Sequence, residues 1–341
     1  MADFLTSTQR AKWIFTSQTL VKKYEEANQR ARQILGEYGA TLMEVDGNGS
    51  LTYPEPRNTA KDGAEKHSRT KPLSIEQEKC VRVYYESNVH NVCKKFPLPR
   101  KVQATALIFF KRFYLRWSVM EHQPKYIMLA CIYAACKIEE YYVSAEELSK
   151  SVVLQDHQMI LNYEMIVYQS LEFDLIVYAP YRAVEGFINN MEEFCHCYEG
   201  DDQLPRLKTL QEKADLEVDK MMFTDASLLF PPGQLALAAL RNANAIHKVI
   251  DFDSYLRSIF GRQSSMHKMS ELSESLNAID SWMQVSKYEI PSKKVKNHID
   301  RKLTSCWGFS SHDEGKKQEK KSKHKSEKSS KEAQSSMPSP V

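Results

Sequence analysis

The sequence predicts an all-α protein built from two tandem five-helix units, and three observations support that prediction. Apolar side chains recur at spacings of three and four through most of the chain, the period of a half-buried helix, and no segment alternates as a strand does. Proline and glycine separate these runs rather than interrupting them. An apolar run after Pro124 has a counterpart after Pro231 and Pro232, each followed by a short and then a longer helical pattern. The period, near 108 residues, suggests a duplicated unit.

Residues 1–45 read as an N-terminal helical extension whose apolar stripe is Leu20, Tyr24, Ala27, Ala31, Ile34 and Leu35. Its helix starts near residues 16–18 and is expected to end at Gly36 and Gly39. Residues 46–72, rich in Gly, Pro, Asn and charge, read as a solvated linker. The first unit spans residues 73–178. Ser74 and Gln77 stand at capping-box spacing before its first helix, Glu76 and Glu78 suit the first turn, and Pro97 and Pro99 stop it. The next run, VQATALIFFKRFYLRW, is apolar over most of its circumference. The third, KYIMLACIYAACKI, is apolar all round except at its ends, so it has to be buried. At about 1.5 Å per residue it is far too short to cross a bilayer. Patterns from Ser144 and from about Asp156 to Leu171 complete five helices. The second unit, residues 179–290, repeats the plan with segments beginning at Tyr181, Leu204, Gly233, Asp251 and Met269. Residues 291–309 form a further C-terminal helical region, and residues 310–341, rich in Lys and Ser and without aromatics, are expected to be disordered.

Composition limits the function. The chain has 341 residues, 42% hydrophobic and 27% charged, enough for about two domains with a substantial core. Residues 311–341 hold eight lysines and five acids, which leaves 39 basic and 39 acidic side chains in residues 1–310. A neutral body argues against direct nucleic-acid binding, whose affinity comes largely from clustered Lys and Arg. The lysine tail reads as a solvated extension, with a nuclear address as the sharper alternative. The N-terminus lacks the apolar core of a secretory signal, and no apolar run approaches the roughly 18 residues that a membrane span needs. The nucleus is the expected location, with the cytoplasm as a second.

No catalytic site is expected. Eleven glycines form neither a Walker nor a dinucleotide pattern. Seven irregularly spaced cysteines, mostly in apolar helical runs, read as reduced core residues. Cys195, His196 and Cys197 are adjacent on one helix and point in different directions, which is a poor start for a tetrahedral metal shell. Glu139 and Glu140 read as solvated or partner-binding carboxylates at a helix end rather than an acid and base. No metal and no cofactor is expected.

Three stretches, KRFYLRWSVM at residues 111–120, AACKIEE at 134–140 and LEFDLIVYAPYRAVEGF at 171–187, resemble the cyclin family. Together with FTDASLLFPPGQLALAAL at 223–240, STQRAKWIF at 7–15 and ANQRAR at 27–32, they resemble its cyclin H group in particular, over nearly all of residues 6–290. The resemblance implies two tandem five-helix cyclin folds with an additional N-terminal helix and a C-terminal helical region. It implies a regulatory subunit that binds and activates a cyclin-dependent kinase of the CDK-activating type, by favouring the kinase conformation in which ATP and metal are aligned. The substrates implied are the activation loops of other cyclin-dependent kinases and the C-terminal repeat of RNA polymerase II. A third assembly subunit and TFIIH are the further partners implied.

By motif, the family's kinase-contacting Lys and Glu fall on Lys137 and Glu164. Lys137 follows an apolar helix and Glu164 lies beside the Tyr163, Val167, Leu171 stripe, so both positions suit side chains held in place at a docking surface. The plainer alternative is that the two simply pair with each other. Ile138, Tyr168 and Phe113 complete the candidate contacts, with a core position the plainer reading of Phe113. The first cyclin helix reads EKCVRVYYES and departs from the MRxIL pattern of cell-cycle members, which puts their mode of substrate recruitment in doubt. Two rivals remain: another transcriptional cyclin of the cyclin C type, and a TFIIB-type factor, which needs a basic face and usually a zinc ribbon.

Overall fold

The computed structural model describes residues 3–45, 50–53, 70–152, 157–198, 204–260, 266–286 and 288–308. A single 3-10 turn (Phe4–Thr6) and α1 (Thr8–Lys12) lead into α2 (Ser17–Tyr38). Thr16 caps α2 by accepting a hydrogen bond from the Thr19 amide, and the expected stripe from Leu20 to Leu35 is buried. Gly39 ends the helix in the left-handed region at φ 74°, a conformation in which a Cβ is unwelcome, whereas Gly36 lies inside the helix. A departure from the all-helical expectation follows: β1 (Glu44–Val45) pairs antiparallel with β2 (Leu51–Thr52). Two residues per strand are too few to show a period of two, so this pair has no sequence signal. Of the expected 46–72 linker only residues 50–53 and 70–72 are described, and the tail at 310–341 lies outside the described residues.

The first repeat contains α3 (Ile75–Lys95), α4 (Arg100–Arg116), α5 (Pro124–Ile138), α6 (Ala145–Ser151) and α7 (Gln158–Ser170). Ser74 and Gln77 close a reciprocal capping box on α3, and Ser144 and Glu147 close another on α6. The second repeat contains α8 (Pro180–Tyr198), α9 (Leu204–Met222), α10 (Ala226–Leu229), α11 (Pro232–His247), α12 (Phe252–Phe260) and α13 (Met266–Val285). The one-turn α10 adds to the five expected helices, being too short for periodicity to reveal. In the first repeat α5 packs against α3, α4 and α7; in the second, α11 packs against α8, α9 and α13. Pro124 and Pro232, 108 positions apart, each open the central helix in its first turn, where a missing N–H forfeits no intrahelical bond.

Both ends of the described chain pack back onto the repeats. The Gln9 carboxamide clasps the backbone of Tyr178 between the repeats, donating to its carbonyl at 3.1 Å and accepting from its amide at 2.8 Å. The Phe15 amide donates to the Leu228 carbonyl at 2.8 Å, and Trp13, Leu20, Tyr24, Leu115, Leu228 and Leu229 form a second apolar cluster. The last helix, α14 (Lys293–Cys306), packs on α3, and the Thr41 amide donates to the Cys306 carbonyl at 2.9 Å.

Helix α4 is buried almost all round, including two cations that hydropathy alone would place in solvent. Lys111 is 1% exposed, and its ammonium lies 2.8 Å from Glu86 of α3 and 3.7 Å from Asp225 at the start of α10. Tyr24 of α2 donates to the same Asp225 at 3.4 Å. Burial pushes the Glu86 carboxyl upward, and Lys111 pulls it back. Next to it, the Arg112 guanidinium stacks over Trp13 at 4.7 Å and donates to the Asp174 carbonyl at 3.2 Å; burial lowers its pKa to about 9. His122 is wholly buried among Phe113, Trp117 and Tyr163, and neither ring nitrogen has a hydrogen-bond partner among the described residues.

Two stability predictions follow from these buried groups. Lys111→Met strands Glu86 and is expected to lower unfolding free energy by roughly 3–5 kcal/mol, most of it regained in Lys111→Met/Glu86→Leu; urea titrations of the three proteins check this. His122 has a folded pKa of about 3, depressed first by burial and then by Arg30, against 6.5 for the free side chain. The unfolded state therefore takes up the proton first, and stability falls as pH drops from 6.5 toward about 3. His122→Phe removes this term, worth up to about 1.4 kcal/mol per pH unit, so melting scans at pH 7.5 and 5 are expected to differ less than in the parent.

Candidate functional site

Most of helix α5 is buried, and in its final turn Lys137 is the exposed side chain. Its ammonium lies 2.8 Å from Oε1 and 3.0 Å from Oε2 of Glu164 on α7, and 4.6 Å from the centre of the Tyr133 ring. Tyr168, one turn further along α7, donates its hydroxyl to Glu164 Oε1 at 2.8 Å. Glu164 is thus held by two donors from two helices. Lys137 is 49% exposed and Glu164 only 14%, so the carboxylate is recessed and the ammonium stands at its mouth. Partial burial opposes the charge on Lys137, but the bond to Glu164 and its negative charge outweigh it and raise the pKa. Burial raises the Tyr168 hydroxyl, and its bond to Glu164 raises it further.

Lys137, Glu164 and Tyr168 are therefore together, with Ile138, partly buried against the core, beside them. Phe113 is not: it is wholly buried in α4, edge-on to Tyr114 and His122, and has no surface to offer a partner. The periodicity that makes α4 apolar nearly all round decides this over the motif. Apolar side chains that the sequence reasoning passed over lie exposed on the same helices or just after them, with the Phe173 ring 6.5 Å from that of Tyr168. Met165 and Phe173 are about half exposed, and Tyr142 is 90% exposed. Met165 had a signal, since it lies off the buried Ile160, Tyr163, Val167 stripe of its own helix. Phe173 had none. Its position depends on two consecutive left-handed residues, Glu172 at φ 53° and Phe173 at φ 57°, which turn the chain sharply after α7.

That turn is held from the N-terminal arm. Lys12 lies 3.0 Å from Glu172 and 3.2 Å from Asp174, and the Trp13 indole donates to Asp174 at 3.1 Å. Glu139 is tied down separately: it accepts from Thr105 at 2.6 Å, while Glu140 takes the left-handed conformation at φ 56°. The two carboxylates do not converge on a common point as an acid and base would. Among the described residues no group of three His, Cys, Asp or Glu side chains is placed to hold a metal ion, and no helix is long and apolar enough to cross a membrane. The side chains of His196 and Cys197 lie outside the described residues.

Comparison with known proteins agrees with this architecture. The family model for the cyclin N-terminal domain matches residues 61–176, and that for the cyclin C-terminal domain matches residues 179–286. Cyclin-H1-1 of Arabidopsis thaliana is 58% identical over 320 residues, 94% of this chain and 93% of its own. Cyclin-H of Xenopus laevis is 30% identical, over 88% of this chain and 85% of its own. Among solved structures, a chain of the CAK complex of Chaetomium thermophilum bound to ATP-gamma-S shares the fold with a TM-score of 0.70 at 22% identity, over 90% of each chain. A chain of the yeast TFIIK complex shares it with a TM-score of 0.60 at 22% identity, over 82% of this chain and all of that one. With both domain models in tandem and full-length likeness to plant and animal relatives, the chain belongs to the cyclin family, in its cyclin H group.

Proposed function

We propose that the face around Lys137 and Glu164 binds a cyclin-dependent kinase of the CDK-activating type and holds it in its active conformation. As a cyclin, the chain is a regulatory subunit, and the phosphoryl-transfer chemistry belongs to its partner. The observation that carries the proposal is the recessed Glu164 carboxylate, fixed by Lys137 and Tyr168, with the exposed Phe173 ring 6.5 Å from that of Tyr168. An apolar platform with a few pre-positioned polar groups is what an amphipathic helix needs for docking: the platform takes its apolar face, and the polar groups pair with its backbone. Lys137 and Glu164 pair with each other in the free protein, as the plainer expectation had it, and that pairing leaves the ammonium half exposed and able to donate further bonds.

The finer assignments belong to the same proposal, with likeness to the relatives as their support. Likeness to Cyclin-H1-1 and Cyclin-H supports a kinase that phosphorylates other cyclin-dependent kinases and the C-terminal repeat of RNA polymerase II within TFIIH, acting in the nucleus. The fold shared with the yeast TFIIK chain, whose complex contains Kin28, Ccl1 and Tfb3, supports a third subunit in the assembly. A cyclin C identity is less well supported, since Cyclin-C1-1 of Arabidopsis thaliana is 26% identical over 55% of this chain.

Capture of a CDK-activating kinase by the intact chain and by Lys137→Ala/Glu164→Ala tests the site. With the helical circular dichroism unchanged, affinity and activation of the kinase are expected to fall by at least about 30-fold, the loss typical of a truncated buried charge pair. Undiminished capture by the folded double variant refutes this placement of the interface.

A further inference from the structure

Where the N-terminal helix meets both repeats, the packing leaves a cavity of about 90 Å³ whose residues have no part in the proposed kinase contact. Its wall on α3 is Lys79, Arg82, Val83 and Glu86, spaced by three, one and three residues and so on one face of that helix. Tyr24 comes from α2, Lys111 from α4, and Thr224 and Asp225 from the approach to α10. Trp282, near the end of α13, and Ser286 and Tyr288 beyond it complete the lining. Segments far apart in the sequence thus converge on a space that about three waters fill at liquid density.

The acceptors at this cavity are already taken. Glu86 holds Lys111 at 2.8 Å, while Asp225 accepts from the Tyr24 hydroxyl at 3.4 Å and stands 3.7 Å from Lys111. The donors are not all taken. The Trp282 indole N–H is buried without a hydrogen-bond partner among the described residues, and an indole can only donate. Arg82 is 6% exposed, with its guanidinium over the Tyr24 ring at 4.0 Å and 3.5 Å from the Glu78 carboxylate. That carboxylate also accepts from Asn28 and Ser118, and one shared carboxylate cannot satisfy a fork of five N–H groups. Lys79 lines the cavity from an exposed position and has no acid within ion-pair distance among the described residues.

With the two carboxylates held by Lys111 and Tyr24, a ligand meets a buried guanidinium, an ammonium and an indole N–H. All three donate, and two are charged. Such a lining suits a group that only accepts and is negative. A cation would find no free carboxylate here, and water, which donates as well as accepts, satisfies these groups only in part. We propose that the cavity binds a phosphate-sized oxyanion, with Arg82 and Lys79 pairing with its charge and Trp282 donating to a further oxygen. Free phosphate and the phosphate of a phosphorylated side chain share this chemistry. Because the lining is assembled from α2 and both repeats, the bound ion stabilises their joined state over any state in which they part. The site stands independently of the kinase-binding proposal, since the two have no residue in common.

Titration of the full chain with sodium phosphate at constant ionic strength tests it, followed by calorimetry and by the melting midpoint. Sodium chloride is the control, and an octapeptide of phosphoserine and glycine is titrated beside its unphosphorylated form. Saturable binding is expected, with the midpoint raised by about 2–4 °C at a tenfold excess over Kd; the general effect of phosphate on proteins raises it without saturating. Trp282→Phe keeps an aromatic ring and removes the donor, and is expected to weaken binding several-fold. Lys79→Ala, at an exposed position, is expected to weaken it about 10-fold, and Lys208→Ala on the second repeat to leave it unchanged. Arg82 is left in place because its stack on Tyr24 helps to hold α2. Melting without phosphate confirms that both cavity variants are folded. Inorganic phosphate that matches the phosphopeptide identifies the free ion, and preference for the phosphopeptide identifies a phosphorylated side chain. Absence of saturation with either probe leaves the cavity to water and overturns the proposal, as does equal binding of the unphosphorylated peptide. Saturable binding that neither Trp282→Phe nor Lys79→Ala weakens marks an adventitious ion only and overturns it too.

Discussion

A cation buried in a helix has to find its anions, and in α4 that requirement fixes how the larger parts of the molecule meet. The Lys111 ammonium reaches Glu86 within the first repeat and Asp225, at the start of α10, within the second, while Asp225 also accepts from Tyr24 of the N-terminal helix. Each of these groups would be costly in the interior alone. Apolar packing draws α2, α4 and the second repeat together but tolerates small shifts, whereas hydrogen bonds to a buried charge do not. The neighbouring Arg112, stacked on Trp13 and bonded to Asp174, extends the same restraint to the turn beneath α7.

The Glu164 site depends on that restraint indirectly. Its carboxylate is positioned by α5 and α7, and the end of α7 is positioned by a turn with two left-handed residues in succession. Such a turn is unfavourable for residues with a Cβ and persists only where the surroundings dictate it. Here Lys12, Trp13 and Arg112 all bond within the turn or just after it. In the proposed complex the N-terminal arm therefore acts on the kinase-binding face from behind, by fixing the shape of its border.

Much of this was legible in the sequence. Stripes of six or more apolar positions, paired caps at Ser74 and Ser144, and prolines at the start of the central helices each reflect a local rule, and each element formed where its rule placed it. The β1–β2 pair and α10 were not legible, because elements of two and four residues carry no period. In the proposed site, Lys137 and Glu164 were singled out by motif and Tyr168 as a candidate apolar contact, and their convergence follows from the packing of α5 on α7. Phe113, offered as a contact with the core as its plainer reading, took the core position, as the burial of its own helix requires. Phe173 was beyond reach, since its exposure is decided by backbone angles at a turn with no glycine.

The clasp between the N-terminal arm and the second repeat also bears on how the chain is made. Phe15 bonds to Leu228, so an early segment has to await a partner more than two hundred residues later in synthesis. At about 5–20 residues per second the arm waits roughly 10–40 s with Trp13, Leu20 and Tyr24 unsheltered on that side. Thr41 waits longer still, for Cys306 near the end of the last helix. The first repeat can collapse on its own central helix meanwhile and engage the arm through Lys12 and Trp13, but the far side of that arm, which backs the border of the binding face, is closed only after most of the chain has emerged. A nascent or truncated chain would thus hold a folded first repeat with an unfinished docking surface, which gives translation itself a say in when the subunit becomes competent.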